Sequence, residues 1–274
     1  AGNSATQITA VTDASSVTFD EVLPTATPVR MYSNNADTTK AKIGDVVTVS
    51  FTVSEALLGS PTVTIDGNAT SLAGSYPTYQ ATYTMVGGES AGVLPFTLDF
   101  TDAAGNAGTQ VTATTDASSV SFDQTAPTAT SVTIYSNNAN TALAKVGDVV
   151  TLSFTVNEPL LGSPTVTIDG NATTLAGSYP TYQASYTMQT GDTQAALGFT
   201  LDFTDASGNA ATQVTAVTDA SSVTFDETLP TSTPRSIFSN NANTTLAKVG
   251  DVVTVSFTVS ETLLGSPTVT IDGN

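Results

Sequence analysis

Acidic and amide residues recur along this chain at a fixed interval. Asp20, Asp123 and Asp226 stand 103 residues apart, each closing a Phe-Asp pair shortly before a proline. Glu55, Glu158 and Glu261 keep the same spacing, as do Asp102 with Asp205 and Asn106 with Asn209. Oxygen donors of this kind suit a hard cation. Ca²⁺ accepts about six to eight oxygens at roughly 2.3–2.6 Å, and carboxylates gathered in one place repel unless such a cation joins them. Other chemistries lack their residues. The chain has no His and no Cys, which excludes imidazole catalysis, thiolate chemistry and the usual zinc sites. Ser and Thr abound, yet no base is evident to activate them as nucleophiles. Paired carboxylates serve glycosidases, but here the same acids return in every repeat beside turn residues, and one active site per repeat is not expected. The chain reads as a non-enzyme.

Whether those acids meet depends on the elements that carry them. The repeat is close to exact: five of 42 positions differ between 44–85 and 147–188, and one of 25 differs between 44–68 and 250–274. Pro-containing junctions fall at Leu23-Pro24-Thr25, Ala126-Pro127-Thr128 and Leu229-Pro230-Thr231. Proline lacks the N–H a sheet ladder needs, so each junction marks a strand end and a stiff linker. Two whole repeats are expected, 25–123 and 128–226. A closing strand of a preceding repeat over 1–20 and the opening half of a following one over 231–274 flank them. The start at Ala1-Gly2-Asn3 has loop chemistry, as expected of an excerpt from something longer.

Within a repeat the apolar period is two, the mark of half-buried strands. Val47, Val49, Phe51 and Val53 alternate with Thr48, Ser50 and Thr52. Val63 and Ile65, then Tyr79 to Met85, then Phe96, Leu98 and Phe100 do the same, and Val120 and Phe122 close the unit. Asp66-Gly67 suits a tight hairpin turn, and no helical stripe is present. About seven short strands per 100 residues predict an all-β fold of tandem immunoglobulin-like β-sandwich domains arranged end to end.

That topology brings the acids together. With strand B over 46–54, the next loop carries Glu55; with strand F over 96–101, the next loop carries Asp102 and Asn106. Both loops lie at the end where the linker, with Asp20, delivers the chain. Asp20, Glu55, Asp102 and Asn106 are therefore expected to converge, as are Asp123, Glu158, Asp205 and Asn209. Asp226 and Glu261 begin a third set, and Ca²⁺ is the cation expected at each inter-domain junction. The competing reading is that Asp102 and Asn106 only form Asx turns around Gly105, with Asp20 and Glu55 solvated. Asp99 and Asp202 read as outer-face charges.

The run Phe-Thr-Leu-Asp-Phe-Thr-Asp-Ala-Ala-Gly-Asn-Ala (96–107), with its Asp-x-x-Gly-Asn core, resembles the signature of bacterial immunoglobulin-like (Big-type) tandem repeats of large adhesins or surface fibres. The junction Phe122-Asp123-Gln124-Thr125-Ala126-Pro127-Thr128 resembles it too, and the likeness extends over essentially the whole chain. The Cys-Trp-Cys core of antibody domains is missing. The resemblance implies surface export, a length-setting role and often Ca²⁺ at domain junctions.

The expected function is the extracellular stalk of a repetitive adhesin, holding a terminal binding domain away from the cell surface. Each repeat should add on the order of 40 Å. The alternative is a subunit of a self-assembling fibre, sheath or surface layer. The partners are neighbouring repeats of the same chain and, in the alternative, identical chains in a fibre. A net charge of −18, from 6 basic and 24 acidic residues, repels phosphate backbones and excludes nucleic acid as a partner. No apolar run approaches the roughly 18–20 residues of a membrane span, so direct membrane insertion is not expected. Lesser features have ordinary readings. Rows such as Thr62 and Thr64 could form an ice- or sugar-binding face but read as strand surface. The sequons at Asn68, Asn171 and Asn243 could accept glycans, though the first two serve an Asp-Gly-Asn turn. The stretches 86–94 and 189–197 differ most between repeats, so a lateral interface shared by every repeat should avoid them.

Overall fold

The computed structural model describes residues 13–272, so the part of the expected preceding strand that falls on 1–12 lies outside the described residues. Among the described residues there is no helix; the chain is all-β, as the period-two alternation requires. The first repeat holds β1 (Ala26–Ser33), β2 (Lys40–Ala41), β3 (Val46–Val53), β4 (Thr62–Ile65), β5 (Asn68–Ala69), β6 (Ser71–Ser75), β7 (Thr78–Thr84), β8 (Gly92–Val93), β9 (Phe96–Asp99) and β10 (Ser121–Phe122). They form three sheets with orders β1-β3-β7-β6, β5-β4-β9 and β2-β10-β8.

Alternation decides which face is buried. In β3, Val47, Val49, Phe51 and Val53 are at most 2% exposed. They join Ala81 of β7, Val63 and Ile65 of β4, Phe96 and Leu98 of β9, and Phe122 of β10 in one core. Opposing sheets thus share a single sandwich-like interior. Phe51 faces Tyr79 across the β3–β7 ladder, their rings 5.6 Å apart and nearly parallel at 20°. Turns follow local chemistry. Asp66 and Gly67 both have positive φ, 49° and 77°, and join β4 to β5 as the Asp-Gly pair predicts. At Gly74, φ is +96° and an added Cβ would lie 2.5 Å from the Thr78 carbonyl, so only glycine lets β6 lie against β7 there.

The two ends of the repeat are sewn together side by side. The Val29 amide donates to Thr115 Oγ1 and the Thr115 amide to the Val29 carbonyl, both at 2.9 Å. Met31 N donates to Ser118 Oγ at 2.9 Å, Ser121 N to the Thr39 carbonyl at 2.8 Å, and Asp123 N to the Ala41 carbonyl at 2.9 Å. Residue numbers rise together along this seam, and β2 pairs with β10 in parallel.

The second repeat carries β11 (Ala129–Ser136), β12 (Leu143–Ala144), β13 (Val149–Val156), β14 (Thr165–Ile168), β15 (Asn171–Ala172), β16 (Thr174–Ser178), β17 (Thr181–Thr187), β18 (Phe199–Asp202) and β19 (Thr224–Phe225). Its sheets run β11-β13-β17-β16, β15-β14-β18 and β12-β19. The altered loop at 189–197 leaves β19 with an isolated bridge, Ala196 to Thr224, where the first repeat has β8. After it come β20 (Ser232–Ser239) and β21 (Val253–Val259), an antiparallel pair. By contact density one compact unit takes Ala1–Ile134, Thr151–Tyr186 and Gly198–Ser221, and another takes Tyr135–Val150, Thr187–Leu197 and Ser222–Asn274.

A repeated residue pair shows what burial requires. Val120 and Phe122 are 0% and 1% exposed, and Val223 and Phe225 are the same, whereas Val17 and Phe19 are 99% and 84% exposed. The apolar closing strand is buried where β2 and β8, or β12, stand beside it.

Candidate metal centre

Three segments build each centre. The linker supplies Asp20, whose Oδ1 accepts the Val22 amide at 3.0 Å and fixes the turn into the proline junction. β3 ends one residue before Ser54, and Glu55 follows. The strand end is pinned to the linker: Ser54 N donates to the Thr25 carbonyl at 2.9 Å and Thr25 N to Ser54 Oγ at 3.0 Å. Beyond β9, bridges Thr101–Ala107 and Leu57–Asp102 hold the Asp-Ala-Ala-Gly-Asn loop against the Glu55 loop.

Asp102 is 1% exposed. Its Oδ1 accepts the amides of Gly105 and Asn106 at 2.7 and 2.8 Å, and its Oδ2 accepts Asn106 Nδ2 at 2.8 Å. The same Nδ2 donates to the Asp20 carbonyl at 3.3 Å. One carboxylate oxygen from each of Asp20, Glu55 and Asp102 then lies within 4.8 Å of the others.

The second centre repeats this with Asp123, Glu158 and Asp205, again within 4.8 Å of one another. Asp205, 1% exposed, takes the amides of Ser207 and Asn209 on Oδ1 at 2.8 and 2.9 Å and Asn209 Nδ2 on Oδ2 at 2.8 Å. Asn209 Nδ2 also reaches the Asp123 carbonyl at 3.1 Å. Turn and cluster are therefore one arrangement. The Asx turn anchors Asp102, and the turn geometry presents it to Asp20 and Glu55.

Asn106 and Asn209 enter these centres as braces whose amide groups tie the loop acid to the linker; a ligand role would fall to their Oδ1. Asp226 and Glu261 are not in a three-carboxylate group among the described residues. Asp226 Oδ1 accepts the Thr228 amide at 2.8 Å, and Glu261 Oε1 is buried without a hydrogen-bond partner. Asp99 and Asp202 lie exposed, each held through both oxygens by Gln110 or Gln213 at 2.9–3.1 Å. Thr64 Oγ1 is paired with Thr97 Oγ1 at 2.7 Å, and Thr62 stands opposite Asp99. Asn68 and Asn171 donate to the carbonyls of Asp66 and Asp169, each at 3.3 Å, inside their turns.

One contributor escaped the sequence reading. Thr128 N is held by Asn157 Oδ1 at 2.7 Å and Thr231 N by Ser260 Oγ at 2.9 Å, matching the Ser54–Thr25 bond. A side-chain acceptor directly before each of the three recurring loop glutamates was the available clue: Ser54, Asn157 and Ser260 precede Glu55, Glu158 and Glu261.

The electrostatics are those of uncompensated acids. Among the described residues no Lys or Arg forms an ion pair with either triad. Burial, then the charges of Asp20 and Asp102, pushes the Glu55 carboxyl above its ordinary value. Burial, then Asp123 and Asp205, does the same to Glu158, opposed by a bond from Asn157. Burial also pushes Asp102 upward, but the bonds from Asn106, Gly105 and Ala104 outweigh it and hold Asp102 below its ordinary value. The two shifts act oppositely on stability. Asp102 contributes stability above its unfolded value, lost as pH falls through the lowered one. Glu55 contributes stability below its unfolded value, lost as pH rises through the raised one.

At neutral pH without a cation, ionised Glu55 therefore weakens the fold. Glu55→Gln is expected to raise the melting temperature of the chelator-treated chain at pH 7 and to leave it unchanged at a pH below the glutamate range. A lower melting temperature for Glu55→Gln at pH 7 would contradict the repulsion. The donor set, oxygen only with three carboxylates, is of the hard kind that Ca²⁺ takes and lacks the nitrogen and sulfur donors of soft-metal sites.

No protein-family model and no curated protein matches the chain. Among solved structures, a match is to the SGBP-B protein of the mixed-linkage glucan utilization locus of Bacteroides ovatus, in complex with a mixed-linkage heptasaccharide. Identity is 18%, and the match covers 73% of this chain and 46% of that one, so this chain spans less than half of it. The TM-score of 0.20 carries no argument about fold or function.

Proposed function

We propose that this chain is part of an extracellular stalk made of immunoglobulin-like β-sandwiches set end to end, with Ca²⁺ at the junctions tying each linker to the domain it enters. The observation that carries this reading is the recurrence of one carboxylate triad, linker Asp with two loop acids, at Asp20, Glu55, Asp102 and again at Asp123, Glu158, Asp205. A binding site that recurs with the repeat and includes the linker acts on the joint between domains. The sheet orders support the fold: β1-β3-β7-β6 has the A-B-E-D order of constant-type immunoglobulin domains, and β4 and β9 pair in the other sheet as strands C and F do. Near-identical units in series give a rod whose reach scales with repeat number.

The role proposed for Ca²⁺ rests on the residues that would hold it. Asp102 or Asp205 is preset by its loop, Glu55 or Glu158 lies two residues past the end of a core strand, and Asp20 or Asp123 sits on the chain that would otherwise swing. A cation shared by all three removes their repulsion and fixes the swing together. Electron microscopy of the chain tests the function. Separate rods, with a narrower spread of bend angles in Ca²⁺ than in chelator, are the expected images; regular lateral packing into sheets or bundles would overturn the stalk in favour of a polymer subunit.

A further inference from the structure

The same loop occurs in two environments. In the first repeat, Ala103, Ala104 and Gly105 are exposed. In the second, Ala206 and Gly208 are half-buried and Ser207 is only 4% exposed. What covers the second loop is the turn between β1 and β3 of the first repeat. Asn35 Nδ2 donates to the Ser207 carbonyl at 2.9 Å. The stem of Lys42 lies along Gly208, where an added Cβ would meet its Cε at 3.2 Å and its Cδ at 3.4 Å. Glycine at 208 thus serves the contact as well as its φ of +92°.

The covering turn is built in advance. Asn35 Nδ2 also donates to Asp45 Oδ2 at 2.7 Å, Lys42 N donates to the same oxygen at 2.9 Å, and Asn35 N donates to Ser33 Oγ at 3.0 Å. Asn138 makes the corresponding bond to Asp148 at 2.7 Å and Asn241 to Asp251 at 2.9 Å. Every copy therefore holds an amide group by one hydrogen, leaving its geometry set for a second acceptor. Lys145 Nζ sits 3.3 Å from its own Asp148, whereas Lys42 makes no such ion pair among the described residues and lies over the neighbouring loop instead.

We infer that the 33–45 turn of a repeat is a docking surface for the Asp-x-x-Gly-Asn loop of the next copy, with Asn35 and Lys42 as its contacts. This interlock is made by the protein alone and needs no ion. It is nevertheless connected to the acid triad, because Ser207 is gripped from both sides: its amide donates to Asp205 and its carbonyl accepts from Asn35. On the junction reading above, which this coupling rests on, a cation that fixes Asp205 also fixes the acceptor that Asn35 uses, and docking in turn favours the cation.

The chain has no Cys, so paired spin labels can be placed cleanly. Labels at Ser75→Cys and Ser178→Cys, both exposed, report the distance between the first and second repeats in the full chain by electron–electron resonance. Loss of the inter-repeat hydrogen bond to Ser207 in Asn35→Ala is expected to raise the share of distances outside the main peak about fivefold, in chelator as well as in Ca²⁺. Asn138→Ala removes the same bond within a turn but not the contact to Ser207, and should leave the distribution unchanged. The inference falls if Asn35→Ala superposes on the parent in chelator, or if Asn138→Ala broadens the distribution equally. A parent chain indifferent to Ca²⁺ would instead sink the cation reading while leaving the docking intact.

Discussion

Adding Ca²⁺ to the chelator-treated chain is expected to raise its melting temperature by about 10 °C or more. A ligand that binds only the folded state stabilises it by roughly 2.7 kcal/mol at a hundredfold excess over its Kd. For domains of about 60–100 residues, each kcal/mol moves the midpoint by about 4–8 °C. Two triads are present among the described residues, so titration calorimetry should give two sites. Asp205→Asn should remove one of them and spare the site at Asp20, Glu55 and Asp102. Mg²⁺ should be a poor substitute, since it demands tight octahedral geometry and gives up its waters reluctantly. Calorimetry of the two chains decides the matter. A midpoint that does not move with Ca²⁺, or an Asp205→Asn chain that still binds two ions, would remove the metal from the account.

The second large effect lies in the core. Phe51→Ala is expected to cost about 3–5 kcal/mol, a large part of the roughly 5–15 kcal/mol that holds a domain folded. Phe51 is 1% exposed, stacks on Tyr79 and sits among residues drawn only from the first repeat. If each repeat folds around its own interior, the damage stays local. Calorimetric melting should split into an early transition for the first repeat and a later one near the parental midpoint. Phe154, stacked on Tyr182 at the same 5.6 Å, provides the mirror experiment in the second repeat. A single transition displaced as a whole would show that the repeats melt together and that the repeat is not the folding unit.

How much of this could be read from residues alone depended on whether the residues themselves encode the geometry. Strands β3, β4, β7 and β9 alternate apolar and polar side chains closely enough that period and burial largely coincide, and their positions follow directly. β1 is hidden because its alternation covers only Val29 to Ser33, with Pro28 before it and the register slipping between Ala26 and Val29. β6, Ser-Leu-Ala-Gly-Ser, has almost nothing to bury and exists because β7 offers it a ladder. β10 shows in the Val120–Phe122 alternation, but β2, two residues long, is defined by a partner some eighty residues away, which no local pattern can reveal.

The triads were legible because topology alone places a strand-B loop, a strand-F loop and a linker at one end. The roles within them were less so. Nothing in the letters Asn106 says that its amide nitrogen, rather than its oxygen, is turned to Asp102 and the Asp20 carbonyl. The variable stretch 86–94 likewise hides its partner. Gln124 donates through Nε2 to the Glu89 carbonyl at 3.0 Å and accepts the Gly88 amide at 3.0 Å, so a loop free to change is tied to a linker residue that changes with it, Gln124 becoming Glu227.

The parallel seam between the first and last segments of a repeat decides how it responds to being pulled. Tension enters near Thr25 and leaves near Asp123, so it drags Val29, Met31 and Ala41 one way and Thr115, Ser118 and Asp123 the other. The bonds joining them are strained at once, in shear, and none can open ahead of the rest as the teeth of a zipper would. If the chain is the stalk proposed above and each repeat folds around its own interior, such links would yield late and abruptly, one whole repeat at a time.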